Sequence, residues 1–274
     1  MNLELEQQRV LVVGAAGTIG KAVTQAFLQE GCTVVVLDKD PLKTEDFPHA
    51  PERLHTLQGD VRRAEDMNQA VAYGKHHLGG LDHAIYTVGA GSGKYGFPFW
   101  NLSPSDWPSV LEINLMGAVH LAHAFAPEAI QQAGRTLCLM SSVAGQIGSQ
   151  TDPPYSAAKA ALINFMQCIA KDFAPHGARA NAIAPGMVVS ELNRSVWASS
   201  QSGLNPEEQT TYAQWGEDKV KRVSPMGQWQ RPEDCASMAT YLASHHARHI
   251  TGQVLNIDGG QVMHASPPCP FHHP

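Results

Sequence analysis

Residues 9–38 leave this chain few folds to choose from. Arg9–Val13 (RVLVV) reads as a short buried strand, and Gly14-Ala-Ala-Gly17-Thr18-Ile19-Gly20 follows it at once. Lys21–Glu30 reads as a helix ended by Gly31, and Thr33–Leu37 (TVVVL) as a second, β-branched strand closed by Asp38. Two strands joined through a helix lie parallel, and a parallel sheet must be covered by helices on both faces. The same unit carries chemistry. Glycines at the first turn let backbone approach a pyrophosphate, the helix N-terminus attracts it, and an acid about twenty residues on accepts from a ribose hydroxyl. A carboxylate at Asp38 repels a 2′-phosphate, which favours NAD over NADP, while Lys39 beside it could reach such a phosphate and keeps NADP open.

The pattern repeats. Leu54–Leu57, Leu81–Val88, Thr136–Met140, Ala178–Ala184 and Gln253–Ile257 read as further short strands. Helical stretches at Arg63–His77, Asp106–Gln132, Pro153–Phe173 and Pro232–Ser244 separate them. The expected fold is a single α/β domain over 1–265, a doubly wound Rossmann-type parallel sheet of about seven strands with helices on both faces. The polar stretch 190–227, with Trp197, Tyr212 and Trp215, is too long for a bare connection and is expected to form short helices of a substrate lid. Residues 266–274, with Cys269, His272 and His273, are a Pro/His-rich tail without a partner loop, so no metal site is expected. At 274 residues, 43% hydrophobic and 16% charged, the chain can bury a large core. A net charge of −6 argues against nucleic acid as a partner. The acidic N-terminus and the absence of a long apolar run argue against a signal peptide and a membrane span. The five cysteines form no pair motif; four fall in expected strands or helices as buried thiols, which fits a reducing, cytoplasmic setting.

Tyr155 and Lys159 stand four apart at the start of the Pro153–Phe173 helix, hence on one face. A free phenol is a poor acid or base at neutral pH, and a nearby ammonium is expected to lower its pKa and make the pair a general acid/base. Ser142 lies thirteen residues before Tyr155 at the end of a strand. The glycine run after Val88 falls at a strand's carboxyl end, where open α/β sheets bind ligands. Phe97, Phe99 and Trp100 could rim an apolar pocket there or anchor a loop, and Phe97, Trp197 and Trp215 are expected to make the substrate pocket apolar and aromatic. Asn114 is an amide inside an apolar helix, where bonding to backbone or water is the ordinary outcome.

From about Gln8 to Val262 the whole set resembles the short-chain dehydrogenase/reductase family. The shared motifs are the Gly14 turn, Asp60-Val61, Asn114, Ser142, Tyr155-x-x-x-Lys159, Pro185-Gly186, and Thr251-Gly252 through Gly259-Gly260. The resemblance implies that Tyr155 moves a proton at the substrate oxygen and Ser142 holds that oxygen. It implies that Lys159 tunes the phenol and bonds the nicotinamide ribose, and that Asn114 supports a proton-relaying water. It extends the cofactor contacts to Gly14, Gly17, Thr18, Ile19, Gly20, Asp38, Asp60, Val61, Gly89, Pro185, Gly186, Val188 and Ser190. It further implies a homo-oligomer, dimer or tetramer, built on the helices holding Asn114 and Tyr155. The substrate would be a small secondary alcohol or ketone and the cofactor NAD. The alternatives are an NADP-dependent carbonyl reductase and a non-catalytic NAD(P)-binding regulator. The chain departs from the family at Val13, which replaces a threonine, at Thr18, and at Ser190. The largest departure is Tyr86-Thr87-Val88-Gly89, where the family has Asn-Asn-Ala-Gly, so contacts around the fourth strand lose two amides.

Overall fold

The computed structural model describes residues 2–264 apart from 44, 46, 48, 49, 95 and 203; the tail therefore lies outside the described residues. Seven strands, β1 Arg9–Val13, β2 Thr33–Asp38, β3 Leu54–Gln58, β4 His83–Tyr86, β5 Thr136–Met140, β6 Arg179–Pro185 and β7 Val254–Ile257, form one sheet in the order β3-β2-β1-β4-β5-β6-β7. Every pairing is parallel. The helices are α1 Thr18–Gln29, α2 Ala64–Leu78, α3 Trp107–Leu111, α4 Gly117–Ala129, α5 Ala144–Ile147, α6 Pro153–Phe173, α7 Glu191–Gln201, α8 Tyr212–Val223 and α9 Pro232–Ala243.

Strand alternation divides the core into two layers. Leu11, Val13, Leu37, Tyr86 and Leu139 pack with α2, α4 and α6 on one face. Val10, Val12, Val36, Ile85 and Met140 pack with α1 and α9 on the other. The strand order reverses between β1 and β4, and the crevice outside their carboxyl ends is where such sheets hold ligands.

The stretch over 106–132 is mostly helical, as expected, but not α throughout: α3 passes through a π-helical turn, Glu112–Met116, into α4. Two expectations need correction. By length and apolarity alone Pro104–Ala129 would suffice to cross a membrane, contrary to the reading that no such stretch exists. Here it packs its buried side against α2 and α6. The second correction is small: Cys32, Cys138 and Cys235 are buried, but Cys168 faces outward on α6.

The π turn explains how the sheet tolerates Tyr86 in place of an amide. The Tyr86 hydroxyl donates to the Ile113 carbonyl at 2.5 Å, inside that turn. Gly117 makes room for it, because a Cβ there would overlap the hydroxyl and press on Val61. Gly117→Ala is expected to cost about 1–3 kcal/mol by overpacking. Adding Tyr86→Phe should recover part of the loss in a denaturant-melt double-mutant cycle, and independent additivity would refute the contact.

Candidate active site

A cavity of about 1750 Å3 runs along the carboxyl edge of the sheet. At one end lies the glycine turn. Gly14 has φ 91°, and a Cβ there would come within 2.8 Å of the Thr87 hydroxyl and of Val88. Only glycine fits such a position without strain. Gly17 caps α1 with no side-chain bond, so the first-turn N–H groups of Thr18 and Ile19 face outward, as helix starts require. Gly14, Gly17, Thr18 and Ile19 line the cavity. Gly20 does not: it is buried behind the turn, where a Cβ would run into the Gly14 carbonyl. Its part is to seat α1 on the turn.

At the end of β2 the Asp38 carboxylate reaches back to the same turn. One oxygen accepts from the Ala16 N–H at 2.9 Å, the other from Asp40 N–H at 3.1 Å. Each oxygen keeps a lone pair for a further donor. Asp60 is held by Arg62, whose guanidinium hydrogen bond pulls its pKa down to about 2. Asp60 and Val61, just past the end of β3 that pairs with β2, line the cavity, and the Val61 carbonyl is bonded to His120. Thr87, where the family has an amide, ties the end of β4 to the glycine turn. Its hydroxyl donates to the carbonyl of Val13 at 2.8 Å, with Gly14 O at 3.1 Å.

The other end holds the expected catalytic group. Lys159 is 1% exposed, and its Nζ donates to the Val88 carbonyl at 3.0 Å and the Met140 carbonyl at 2.9 Å. It therefore clamps the ends of β4 and β5 from α6. Tyr155, half-buried one turn earlier, has its ring centroid 5.5 Å from that ammonium. Gly89 sits among them: an atom at its absent Cβ would lie 3.7 Å from Lys159 Nζ and 3.8 Å from both the Tyr155 hydroxyl and Asn114 Oδ1. Asn114, fully buried in the π turn, does not line the cavity. Its amide donates to the carbonyls of Ala90 (2.7 Å) and Val110 (2.8 Å), and its oxygen accepts from Ala90 N–H at 3.2 Å. It thus pins the glycine run after β4, which its sequence context alone did not reveal. π turns recur at functional sites.

The electrostatics differ from expectation. Burial pushes the Tyr155 phenol up to about 12; a hydrogen bond to Ser142 pulls it down and the Asp152 charge pushes it up. Burial pulls Lys159 down to about 7. Lys159 therefore does not act here as the strong cation that lowers the phenol, because desolvation penalises both charged forms. Asp152, three residues before Tyr155, was missed by sequence reasoning. Its Oδ2 accepts from Ser92 N–H at 2.6 Å, and its Oδ1 is buried without a partner among the described residues. Asp152→Asn is expected to shift phenolate formation to lower pH in an ultraviolet titration corrected with Tyr155→Phe, since a like charge disfavours ionisation. An unmoved titration would show that the two groups do not interact.

Pro185, Gly186, Val188 and Ser190 line the wall after β6. Pro185 O accepts from Val143 N–H at 3.0 Å, beside Ser142, and the Ser190 hydroxyl caps α7 by accepting from Asn193 N–H at 3.3 Å. The stretch 190–227 forms α7 and α8 over the cavity, but its aromatic residues do not line it. Trp197, Trp215 and Trp229 pack around Tyr212 at 5.8, 5.9 and 6.0 Å, stiffening the two helices against each other. The wall is mixed rather than aromatic: Phe97 lines it, while Phe99 and Trp100, 67% and 71% exposed, meet edge-on outside.

The residues present fit a nicotinamide dinucleotide. A side-chain-free cradle at a helix start suits a pyrophosphate, a carboxylate with open lone pairs suits a ribose diol, and the phenol and ammonium stand at the far end.

A sheet of this order with this site is that of the dinucleotide-dependent oxidoreductases. The family model described as "Enoyl-(Acyl carrier protein) reductase" matches residues 14–262. An NAD-dependent glycerol dehydrogenase of Listeria innocua is 32% identical over 254 residues, 92% of this chain and 93% of that protein. A 3-oxoacyl-[acyl-carrier-protein] reductase of Thermotoga maritima is 28% identical over 265 residues, 95% of this chain and all (100%) of that one. Among solved structures, the aldohexose dehydrogenase of Thermoplasma acidophilum superposes with a TM-score of 0.82 at 24% identity, covering 97% of this chain and 98% of its own. The chain belongs to the short-chain dehydrogenase/reductase family, and it is an NAD(P)-dependent oxidoreductase acting on CH–OH groups.

Proposed function

We propose that this chain interconverts a secondary alcohol and a ketone by hydride transfer, with NAD as cofactor and Tyr155 as acid/base. The convergence of the Tyr155 hydroxyl, the Lys159 ammonium and the Asn114 amide around Gly89, beside Ser142, carries the reading. The bound nicotinamide supplies or takes the hydride at carbon. The protein's own part is at oxygen. A phenol pushed up to about 12 is neutral at physiological pH and so holds a proton ready for a ketone oxygen. Ser142, which lines the cavity with that phenol and pulls its pKa down, fixes the oxygen's position. Lys159, down at about 7, exchanges the proton behind Tyr155, and Asn114 keeps the loop over Lys159 in register. α7 and α8 act as the lid that excludes water.

Asp38 supports NAD. A 2′-phosphate would meet its carboxylate, while Lys39 is 71% exposed and engaged with Asp40 at 3.5 Å. Like-charge juxtaposition costs several kcal/mol, so kcat/KM should favour NAD by about tenfold or more, and Asp38→Ala should narrow the ratio. A wild-type preference for NADP would refute the assignment. The regulator reading predicts cofactor binding with no turnover of any alcohol; an NAD-coupled screen across polyols, sugars and cyclic alcohols distinguishes it. The outward faces of α4 and α6, with Met116 at the end of the π turn 42% exposed, support association into a dimer or tetramer, which light scattering would test.

A further inference from the structure

Lid helix α8 turns two cations, Lys219 and Arg222, into the cavity. They stand three apart and so share a helix face. Of the other cations lining the cavity, Lys39 is neutralised by Asp40 at 3.5 Å, Arg62 by Asp60, and Lys94 by Asp106 at 2.7 Å, while Lys159 is tied to the Val88 and Met140 carbonyls. The wall's lid carboxylate, Glu191, is engaged with Arg194 at 3.6 Å. Lys219 and Arg222 have no such partner among the described residues. The Lys219 ammonium rests instead on the Trp215 ring, 4.5 Å from its centroid, one turn back along α8. That platform holds the half-buried stem, and Lys219 lines the cavity from it. Burial and the neighbouring Arg222 pull Lys219 down to about 8, the penalty of keeping two like charges in a partly dry place. Below that pH it remains charged. In a chain of net charge −6, a cation pair without carboxylate partners on the cavity wall, half-buried at Lys219 and exposed at Arg222, is a recognition feature.

We propose that Lys219 and Arg222 bind an anionic group, a carboxylate or phosphate, carried by the substrate at the end remote from the reacting carbon. This rests on the oxidoreductase reading above and narrows it: the substrate is a hydroxy acid, keto acid or phosphorylated hydroxyketone rather than a neutral alcohol.

The test uses the full chain with NADH and two matched pairs: laevulinate against its methyl ester, and dihydroxyacetone phosphate against dihydroxyacetone. Reduction is followed kinetically and binding by calorimetry on the NADH-loaded protein. A charge-assisted hydrogen bond is worth about 1.5–3 kcal/mol, so the charged member of one pair should be favoured roughly tenfold to a hundredfold, mainly through KM. Which pair responds distinguishes carboxylate from phosphate. Lys219→Gln combined with Arg222→Gln should collapse the ratio towards one, while Lys219→Arg should keep most of it. Each single Gln variant gives an intermediate ratio if the double variant fails to fold. Equal turnover of charged and neutral members overturns this inference and leaves the oxidoreductase reading standing. Preferential binding of the charged member without reduction of any ketone supports the anion site and counts against the oxidoreductase reading. The absence of both preferential binding and a preference in turnover overturns it.

Discussion

Tyr155→Phe is expected to lower kcat by roughly 10²–10⁴, the range that a positioned proton donor contributes, while cofactor affinity changes little. The substitution removes one oxygen and keeps the ring that stands 5.5 Å from the Lys159 ammonium, so packing of α6 on the sheet is preserved. The loss should fall on kcat and kcat/KM together, because the bond that disappears strengthens as the substrate oxygen changes charge. Ser142→Ala should reproduce part of the loss. It withdraws the hydroxyl that lowers the phenol's pKa, so the phenol should also titrate higher than in the wild type. NADH fluorescence gives the cofactor affinity and a coupled assay gives turnover. Tyr155→Phe with kcat intact would remove this residue from the chemistry, and the proposed function with it. Loss of cofactor binding in the same variant would instead assign it a structural role.

What could be read ahead of the fold was whatever repeats with a strand's or a helix's period. The β1–α1–β2 unit was legible because short apolar runs, glycines and Asp38 each restrict the same turn. Tyr155 and Lys159 were legible as a pair because helix geometry alone puts them on one face. Asn114 was legible as a residue but not as a device. A π turn differs from an α turn by one residue per cycle, and nothing in Glu-Ile-Asn-Leu-Met announces it. Its bonds to Ala90 also depend on a loop 24 residues away. Trp197 and Trp215 misled because aromatic residues in a lid satisfy one another as readily as a ligand. The electrostatic expectation failed for a physical reason. Proximity along a helix is visible in sequence; desolvation is a property of everything else packed around it.

Lys159 is where that failure has the largest consequence. Its ordinary pKa would keep it charged throughout the physiological range, yet burial brings it down to about 7. On the proposed function, Tyr155 takes the alcohol's proton as it passes its own on to Lys159, which must be neutral first. Oxidation should therefore rise about tenfold per pH unit below pH 7 and level off above it, and ketone reduction should slope the opposite way. Lys159→Arg stays charged at every accessible pH, so the inflection near 7 should vanish and oxidation should be slow throughout. Lys159→Met removes proton acceptance and also leaves the carbonyls of Val88 and Met140 without a donor. Each unsatisfied buried group costs about 1–3 kcal/mol, so this variant should be both less stable and slower in turnover by roughly 10²–10⁴. Following stability by denaturant melt and turnover by coupled assay separates the two effects, because Lys159→Arg retains donors for the carbonyls while forfeiting the neutral form. A wild-type profile flat from about pH 6 to 8, or an inflection that survives Lys159→Arg, would place the titrating base elsewhere and leave Lys159 as a clamp between β4 and β5.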